Sequence, residues 1–344
     1  MIRQILEKTE ELDRKIEALK ELQKDETSHL VRHEAGERAE DSYDGEDAGP
    51  EEHLEQWKSC EKELKHLEKL KRDFLEQTGP LSAADHVVLA RYAKRPHIED
   101  FIDGLFTDFF EQRGDHLYDE DRSICGGIAM FHGTPVTVVG HRKGRTVEEN
   151  VSCNFGMPCP EGYRKALRIM KEAEKFRRPI ITFIDTPGAY PGMEAEEHGQ
   201  GEAIARNLAE MSAFTVPVIS IVTGEGNSGG ALALSMANRL YMLQYAVYSI
   251  LSPEGFASIL WKDASRHEEA CELMHMTAED LVEAGVADGI IPEPLGGAQE
   301  DPAAVYAAIA TELDITVRAY RAMSPEVIRA DRMKKFREIG RVSA

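Results

Sequence analysis

The sequence predicts a layered α/β domain preceded by an α-helical hairpin. Three observations predict it. Two early stretches repeat their apolar residues three and four apart, β-rich runs alternate with amphipathic stretches beyond residue 120, and two glycine-rich turns each follow an apolar run.

From the start, Ile2, Ile5, Leu12, Ile16 and Leu19 recur with Thr9 in the one polar slot, the spacing of a helix presenting a narrow seam. Trp57, Cys60, Leu64, Leu67 and Phe74 form a second seam. The two helices either zip together or lie on the main domain; a partner-binding arm is the alternative. Between them, residues 34–52 carry nine acidic residues against Arg38 alone, so a solvated loop is expected there. Residues 44–55 imitate a calcium loop, with Gly49 sixth and Glu55 twelfth. Ala48 and Pro50, however, stand where a carboxylate and a flexible carbonyl are needed, and calcium is not expected.

A helix broken at Pro96 is expected over 81–110, with Phe101, Ile102, Leu105, Phe106, Phe109 and Phe110 as a core stripe. Two β-rich runs, 123–131 and 135–141, meet at His132-Gly133, a hairpin signal. Strands follow over 180–184, 216–222, 239–243, 248–251 and 289–291. They alternate with helices over 160–176, 199–213, 229–237 and 253–261, and with a short one to 283 behind the Thr277-x-x-Asp280 cap. A helix over 302–323 and a polar tail close the chain.

Lys and Arg number 41 against 62 Asp and Glu, a net charge of −21, so the chain repels polyanions and nucleic-acid binding is not expected. The apolar content of 42% suffices for a full-sized core. No apolar run approaches the roughly 18–20 residues that cross a bilayer, and the first fifteen residues are too charged for a signal peptide. A cytoplasmic protein without membrane attachment is expected. Five scattered cysteines (Cys60, Cys125, Cys153, Cys159 and Cys271), none in a CxxC pair, argue against a disulfide framework and a self-contained metal site.

The chemistry is expected at two glycine-rich turns, 187–192 and 223–230. In the second, Gly224, Gly226, Gly229 and Gly230 free the backbone to approach a ligand, and the helix that follows offers unpaired N–H groups to an oxygen gaining negative charge. The plainer reading is that these glycines only permit tight strand-to-helix turns. The string Gly226-Asn227-Ser228-Gly229-Gly230 also satisfies G-x-S-x-G, so a serine hydrolase with Asp263 and His267 or His275 downstream is an alternative. Phosphate-loop, H-E-x-x-H and G-x-G-x-x-G signatures are missing, so ATP chemistry belongs elsewhere. The basic run 140–145 (GHRKGR) could hold a carboxylate or phosphate, or be an ordinary charged loop.

The strings GHRKGR, NFGMPCPEGYRKALRIM, PIITFIDTPGAYPG, GQGEAIARNLAEM, GEGNSGGALAL, SPEGFASILWK and IIPEPLGGA occur in this order between residues 140 and 298. On them the stretch 80–298 resembles the carboxyltransferase α subunit of multi-subunit acetyl-CoA carboxylase. The resemblance implies a crotonase-like spiral of ββα units over 80–298, behind a hairpin at 1–79 with its acidic loop at 33–53, and before a C-terminal helix and tail at 299–344. It implies transfer of carboxyl from carboxybiotin on a biotin carboxyl carrier protein to acetyl-CoA, giving malonyl-CoA for fatty-acid synthesis. A β subunit carrying zinc would complete an α₂β₂ tetramer, and a biotin carboxylase component would use ATP.

By the same resemblance, the amides of Gly229 and Gly230 would form an oxyanion hole for the biotin ureido oxygen. Gly188, Ala189, Tyr190, Gly192, Gly226 and Ser228 would line the pocket. Substituting valine at Gly229 or Gly230 should block the oxygen's approach. Asn227 stands where relatives commonly have glycine, and asparagine's tolerance of left-handed backbone is expected to preserve the turn. The acidic insert is longer than the usual connector. A related biotin-dependent acyl-CoA carboxyltransferase or decarboxylase, and a non-catalytic scaffold using the hairpin, are the other readings.

Overall fold

The computed structural model describes residues 2–34 and 50–341. They divide into two compact units, Met1–Leu81 and Ser82–Ala344.

The first unit is the helical hairpin, α1 (Ile2–Glu34) and α2 (Pro50–Glu76). Ile2, Ile5, Leu12, Ile16, Leu64 and Leu75 are buried, and the polar slot is closed by Thr9, whose hydroxyl donates to the Leu6 carbonyl at 2.9 Å. The helices are joined by Lys71 to Asp13 at 2.5 Å and by His53 to Glu26 at 2.6 Å, so the seams zip together. The acidic segment is shorter than a loop over 33–53 would be: residues 33 and 34 continue α1, and 50–53 already belong to α2, with Pro50 opening its first turn. The centre of that segment, with the first half of the calcium-like string, lies outside the described residues.

The second unit opens with α3 (Ala83–Ala90), held by a Ser82–Asp85 capping box, and α4 (Ile98–Leu105). The expected helix does not continue to 110. Thr107–Glu111 is an edge strand, β1, entered through a left-handed Asp108, and Phe110 points outward at 69% exposure while Phe109 is half-buried. Next come β2 (Ile124–Phe131) and β3 (Thr134–His141), joined by His132 and Gly133, both at positive φ, the geometry of a two-residue hairpin turn. Gly127 lets β1 lie against β2, because an added Cβ would sit 2.1 Å from the Phe110 carbonyl oxygen.

Beyond β3 come α5 (Val147–Ser152), α6 (Pro160–Phe176), β4 (Ile180–Thr186), α7 (Met193–Glu197), α8 (Gln200–Ala213), β5 (Val218–Asn227) and α9 (Ser228–Leu232). Then follow β6 (Arg239–Leu243), β7 (Val247–Ser249), α10 (Pro253–Trp261), α11 (His267–Met274), α12 (Ala278–Glu283) and β8 (Gly289–Ile291). The described strands form one sheet in the order β1-β2-β3-β4-β5-β6-β8, antiparallel up to β3 and parallel from there. The second half of β5, Glu225 to Asn227, pairs instead with β7. Parallel strands need both faces covered, and their side chains read accordingly: Ile180, Ile181, Val218, Ile219, Ile221 and Val222 are fully buried.

The last expected element is longer than a helix and tail. α13 (Pro302–Arg321) lays Val305, Ile309, Leu313 and Val317 into the main core, and 325–338 forms a further helix, α14 (Pro325–Glu338), where a polar tail was expected. Arg332 of α14 is completely buried. Its guanidinium donates to the carbonyls of Met211, Phe214 and Val216 and to the Asn238 side chain, so it caps the open end of α8.

Candidate active site

Both glycine turns leave the carboxyl edge of the sheet side by side. β4 ends at Thr186, whose hydroxyl lies 2.6 Å from the Gly156 carbonyl and 2.8 Å from that of Gly188, and accepts from the Gly188 amide at 3.0 Å. Gly188 has φ +141°, a conformation essentially reserved for glycine. The turn is clamped from outside by Gln200, whose side-chain amide donates to the carbonyls of Pro158 and Tyr190, each at 2.9 Å.

The second turn meets the first at Gly230. A Cβ added there would lie 2.5 Å from the carbonyl carbon of Gly188 and 2.7 Å from the amide nitrogen of Ala189. Gly188, Ala189 and Gly230 are therefore brought into direct contact. The reason for glycine at 230 is this backbone packing, where the sequence suggested clearance for a ligand. Gly229 is half-buried and open, an added Cβ meeting only Ile204 Cδ1 at 3.4 Å. Both residues sit in the first turn of α9, where amides have no intrahelical acceptor.

Two candidate glycines make room for aromatic rings. Gly226 lies inside β5 and makes room for the Tyr248 ring, 2.7 Å from an added Cβ. Gly192 makes room for the Tyr190 ring, 2.3 Å from an added Cβ, so Tyr190 folds back over its own turn. On the outer side of Tyr190 is a cavity of about 340 Å³ that also involves Glu161, Glu194 and His198.

The left-handed residue of the second turn is Ser228, at φ +58° and exposed. Asn227 is extended (φ −113°) and buried, so asparagine is not there to tolerate strain. Its side-chain amide donates to Glu225 at 3.1 Å and its oxygen accepts from Ser249 at 2.8 Å, pinning β7 beside β5.

Sequence reading missed a charged layer beneath the turns. Lys143, on the loop after β3, reaches Asp185 at 2.7 Å and Glu225 at 3.1 Å. Arg91 meets the other oxygen of Glu225 at 2.9 Å and continues to Glu254 at 2.8 Å. Burial alone would lower the Lys143 pKa, but the two carboxylates outweigh it and hold the ammonium above the usual lysine range. The basic run therefore does hold carboxylates, and they are the chain's own: Arg142 pairs with Glu99 and Glu111, and Arg145 with Asp100 at 2.5 Å.

The hydrolase constellation is not assembled. Asp263 accepts from Ser265, His275 faces Asp280 at 3.6 Å, and among the described residues no hydrogen bond joins Ser228 to a histidine. Among those residues there is also no group of three or more His, Cys, Asp or Glu placed to hold a metal ion, and no helix long and apolar enough to cross a membrane.

A largely parallel sheet carries the two stacked glycine turns at its carboxyl edge, and the fold is crotonase-like. The same fold is seen in the hexameric transcarboxylase 12S, at a TM-score of 0.54 and 21% identity, over 68% of this chain and 44% of that one, less than half its length. Two carboxyltransferase subunits are much nearer in sequence. The acetyl-coenzyme A carboxylase carboxyl transferase subunit alpha of Halorhodospira halophila is 54% identical over 283 residues, 81% of this chain and 88% of that protein. The same subunit of Listeria monocytogenes is 53% identical over 280 residues, 81% of this chain and 87% of that protein. The family profile described as acetyl co-enzyme A carboxylase carboxyltransferase-like matches residues 47–340, and the chain belongs to that family. It is one subunit of a multi-subunit, biotin-dependent carboxyltransferase.

Proposed function

We propose that the meeting of the two glycine turns is the carboxybiotin half of a carboxyltransferase site, and that the chain works as the α subunit that moves carboxyl to acetyl-CoA, giving malonyl-CoA. The observation that carries this reading is the contact of the 188–189 peptide with Gly230. It holds the first turn of α9 in place while leaving Gly229 and Ser228 open to an incoming oxygen.

Biotin, delivered by a carrier protein, supplies a transferable carboxyl group and a ureido oxygen that gains negative charge as the carboxyl leaves. The amides of Gly229 and Gly230 donate to that oxygen. Their orientation is set beforehand by the packing against Gly188 and Ala189, so no reorganisation is needed as charge develops. Ala189 and Tyr190 form the adjoining wall, and Gln200 keeps that wall from opening. A β-type partner supplies the acetyl-CoA side of the pocket and the zinc-binding ribbon in an α₂β₂ assembly, an ATP-using biotin carboxylase reloads the carrier, and the complex works in the cytoplasm.

The test is co-purification with the β-type partner, followed by carboxyl transfer from carboxylated carrier to acetyl-CoA. Malonyl-CoA should form with both subunits present and with neither alone. Transfer by this chain alone, or faster transfer to another acyl-CoA than to acetyl-CoA, would overturn the reading.

A further inference from the structure

The β4–β5 ladder is regular from Ile180↔Val218 to Ile184↔Val222 and then breaks: the next pair is Thr186↔Gly226. Asp185 alone on β4 opposes Thr223, Gly224 and Glu225 on β5, so backbone pairing is interrupted just before the single pair, Thr186↔Gly226, that leads into the two turns.

Side chains span that break. Lys143 Nζ meets Asp185 Oδ1 at 2.7 Å and Glu225 Oε1 at 3.1 Å, and Asp185 Oδ1 also accepts from the Glu225 amide at 3.1 Å. Two glycines keep the space clear. An added Cβ at Gly224 would lie 2.4 Å from Asp185 Oδ1, and one at Gly156 would lie 2.8 Å from Lys143 Cγ. Asp185 precedes Gly188 by three residues and Glu225 precedes Gly230 by five, so the ammonium grips both strands just ahead of the residues that touch.

We propose that Lys143 is a positioning residue for carboxyl transfer: its ammonium bridges Asp185 and Glu225 across the break in the ladder and thereby sets the separation of the 188–192 and 228–230 turns. The inference rests on the functional reading above. A slack bridge moves the wall at 188–190 relative to the amides at 229 and 230, and the biotin end of the reaction is affected while the acyl-CoA end is not.

The complex with the β-type partner is run in reverse, from malonyl-CoA to free biotin. Lys143→Arg keeps the charge, but the guanidinium is longer and planar and cannot converge on the same two oxygens in the space beside Gly156. Lys143→Met combined with Glu225→Gln removes the bridge with the charge still balanced. In either variant turnover should fall about 100-fold, as expected for a displacement near 1 Å. The KM for biotin should rise about tenfold while that for malonyl-CoA stays within about twofold, a split that general loosening of the fold would not produce. Undiminished transfer, or equal change in both KM values, overturns the inference alone. Absence of transfer in the wild-type complex removes the functional reading and this inference with it.

Discussion

Gly230 and Gly188 touch through their backbones: a methyl group on Gly230 would lie 2.5 Å from the Gly188 carbonyl carbon, inside any allowed contact. Gly230→Ala should therefore destabilise the fold by about 1–3 kcal/mol through overpacking. In the assembled complex it should abolish most carboxyl transfer. Gly229→Ala meets only the end of Ile204, at 3.4 Å, and should melt within about 2 °C of wild type. Melting curves of the two variants decide it; equal Tm values would contradict the packing described.

Asn227 links Glu225 to Ser249 and is almost fully buried. Asn227→Ala removes one contact of Glu225 and one of the two acceptors of the Ser249 hydroxyl, which keeps the Leu251 carbonyl, and should cost about 1 kcal/mol in urea unfolding. Asn227→Asp places a carboxylate against Glu225 and should be worse at pH 8 than at pH 5, because protonation relieves the repulsion.

Arg332 satisfies three backbone carbonyls and one side-chain oxygen in the interior. Burial pulls its pKa down to about 10, which still leaves it charged at neutral pH. Arg332→Met should destabilise by about 3 kcal/mol or more, since several buried acceptors lose their donor together. Arg332→Lys should recover less than half of that, lacking the planar fork. Urea midpoints with unchanged m-values are the readout.

His141, at the end of β3, is wholly buried, with Asp185, Lys143 and the backbone at Phe183 and Gly230 beside it. Burial is the main cause that lowers its pKa, to about 4 from an ordinary 6.5. As pH falls below 6.5 the unfolded chain takes up this proton and the folded chain does not. The stability it represents is thus complete above 6.5 and is lost on the way down to 4. Between pH 7.5 and 4.5, wild type should lose roughly 2–3 kcal/mol more than His141→Gln in urea unfolding. Parallel pH curves for the two proteins would contradict this burial.

The strands of the main sheet were legible because fully buried parallel strands are unbroken apolar runs, and the hairpin at His132-Gly133 and the Thr277–Asp280 cap were legible because their chemistry is local. β1 was hidden by the phenylalanines before and within it: Phe106, Phe109 and Phe110 continue a helical stripe, and only the backbone at Asp108 shows that the period has changed. α14 was hidden because its anchor is a charged residue, which apolar periodicity does not register. At the site, both turns were legible from their glycines, but what each glycine is for was not. Gly224 and Gly226 make room for Asp185 and Tyr248, partners that no local spacing reveals, and Gly192 makes room for the neighbouring Tyr190 ring. The Lys143 bridge joins residues 42 and 82 positions apart, and the left-handed residue proved to be Ser228 beside the asparagine that seemed chosen for it.

The reach of Arg332 has a consequence for the order of events in the cell. Its carbonyl partners at Met211, Phe214 and Val216 are synthesised more than 100 residues earlier, at the foot of the strand that leads to the second turn. A chain that lacks residue 332 leaves the Phe214 and Val216 carbonyls without this donor, and they are expected to stay hydrated at the foot of β5. Arrest of translation before α14 should therefore leave the segment around Met211–Val216 open to protease where the longer chain protects it.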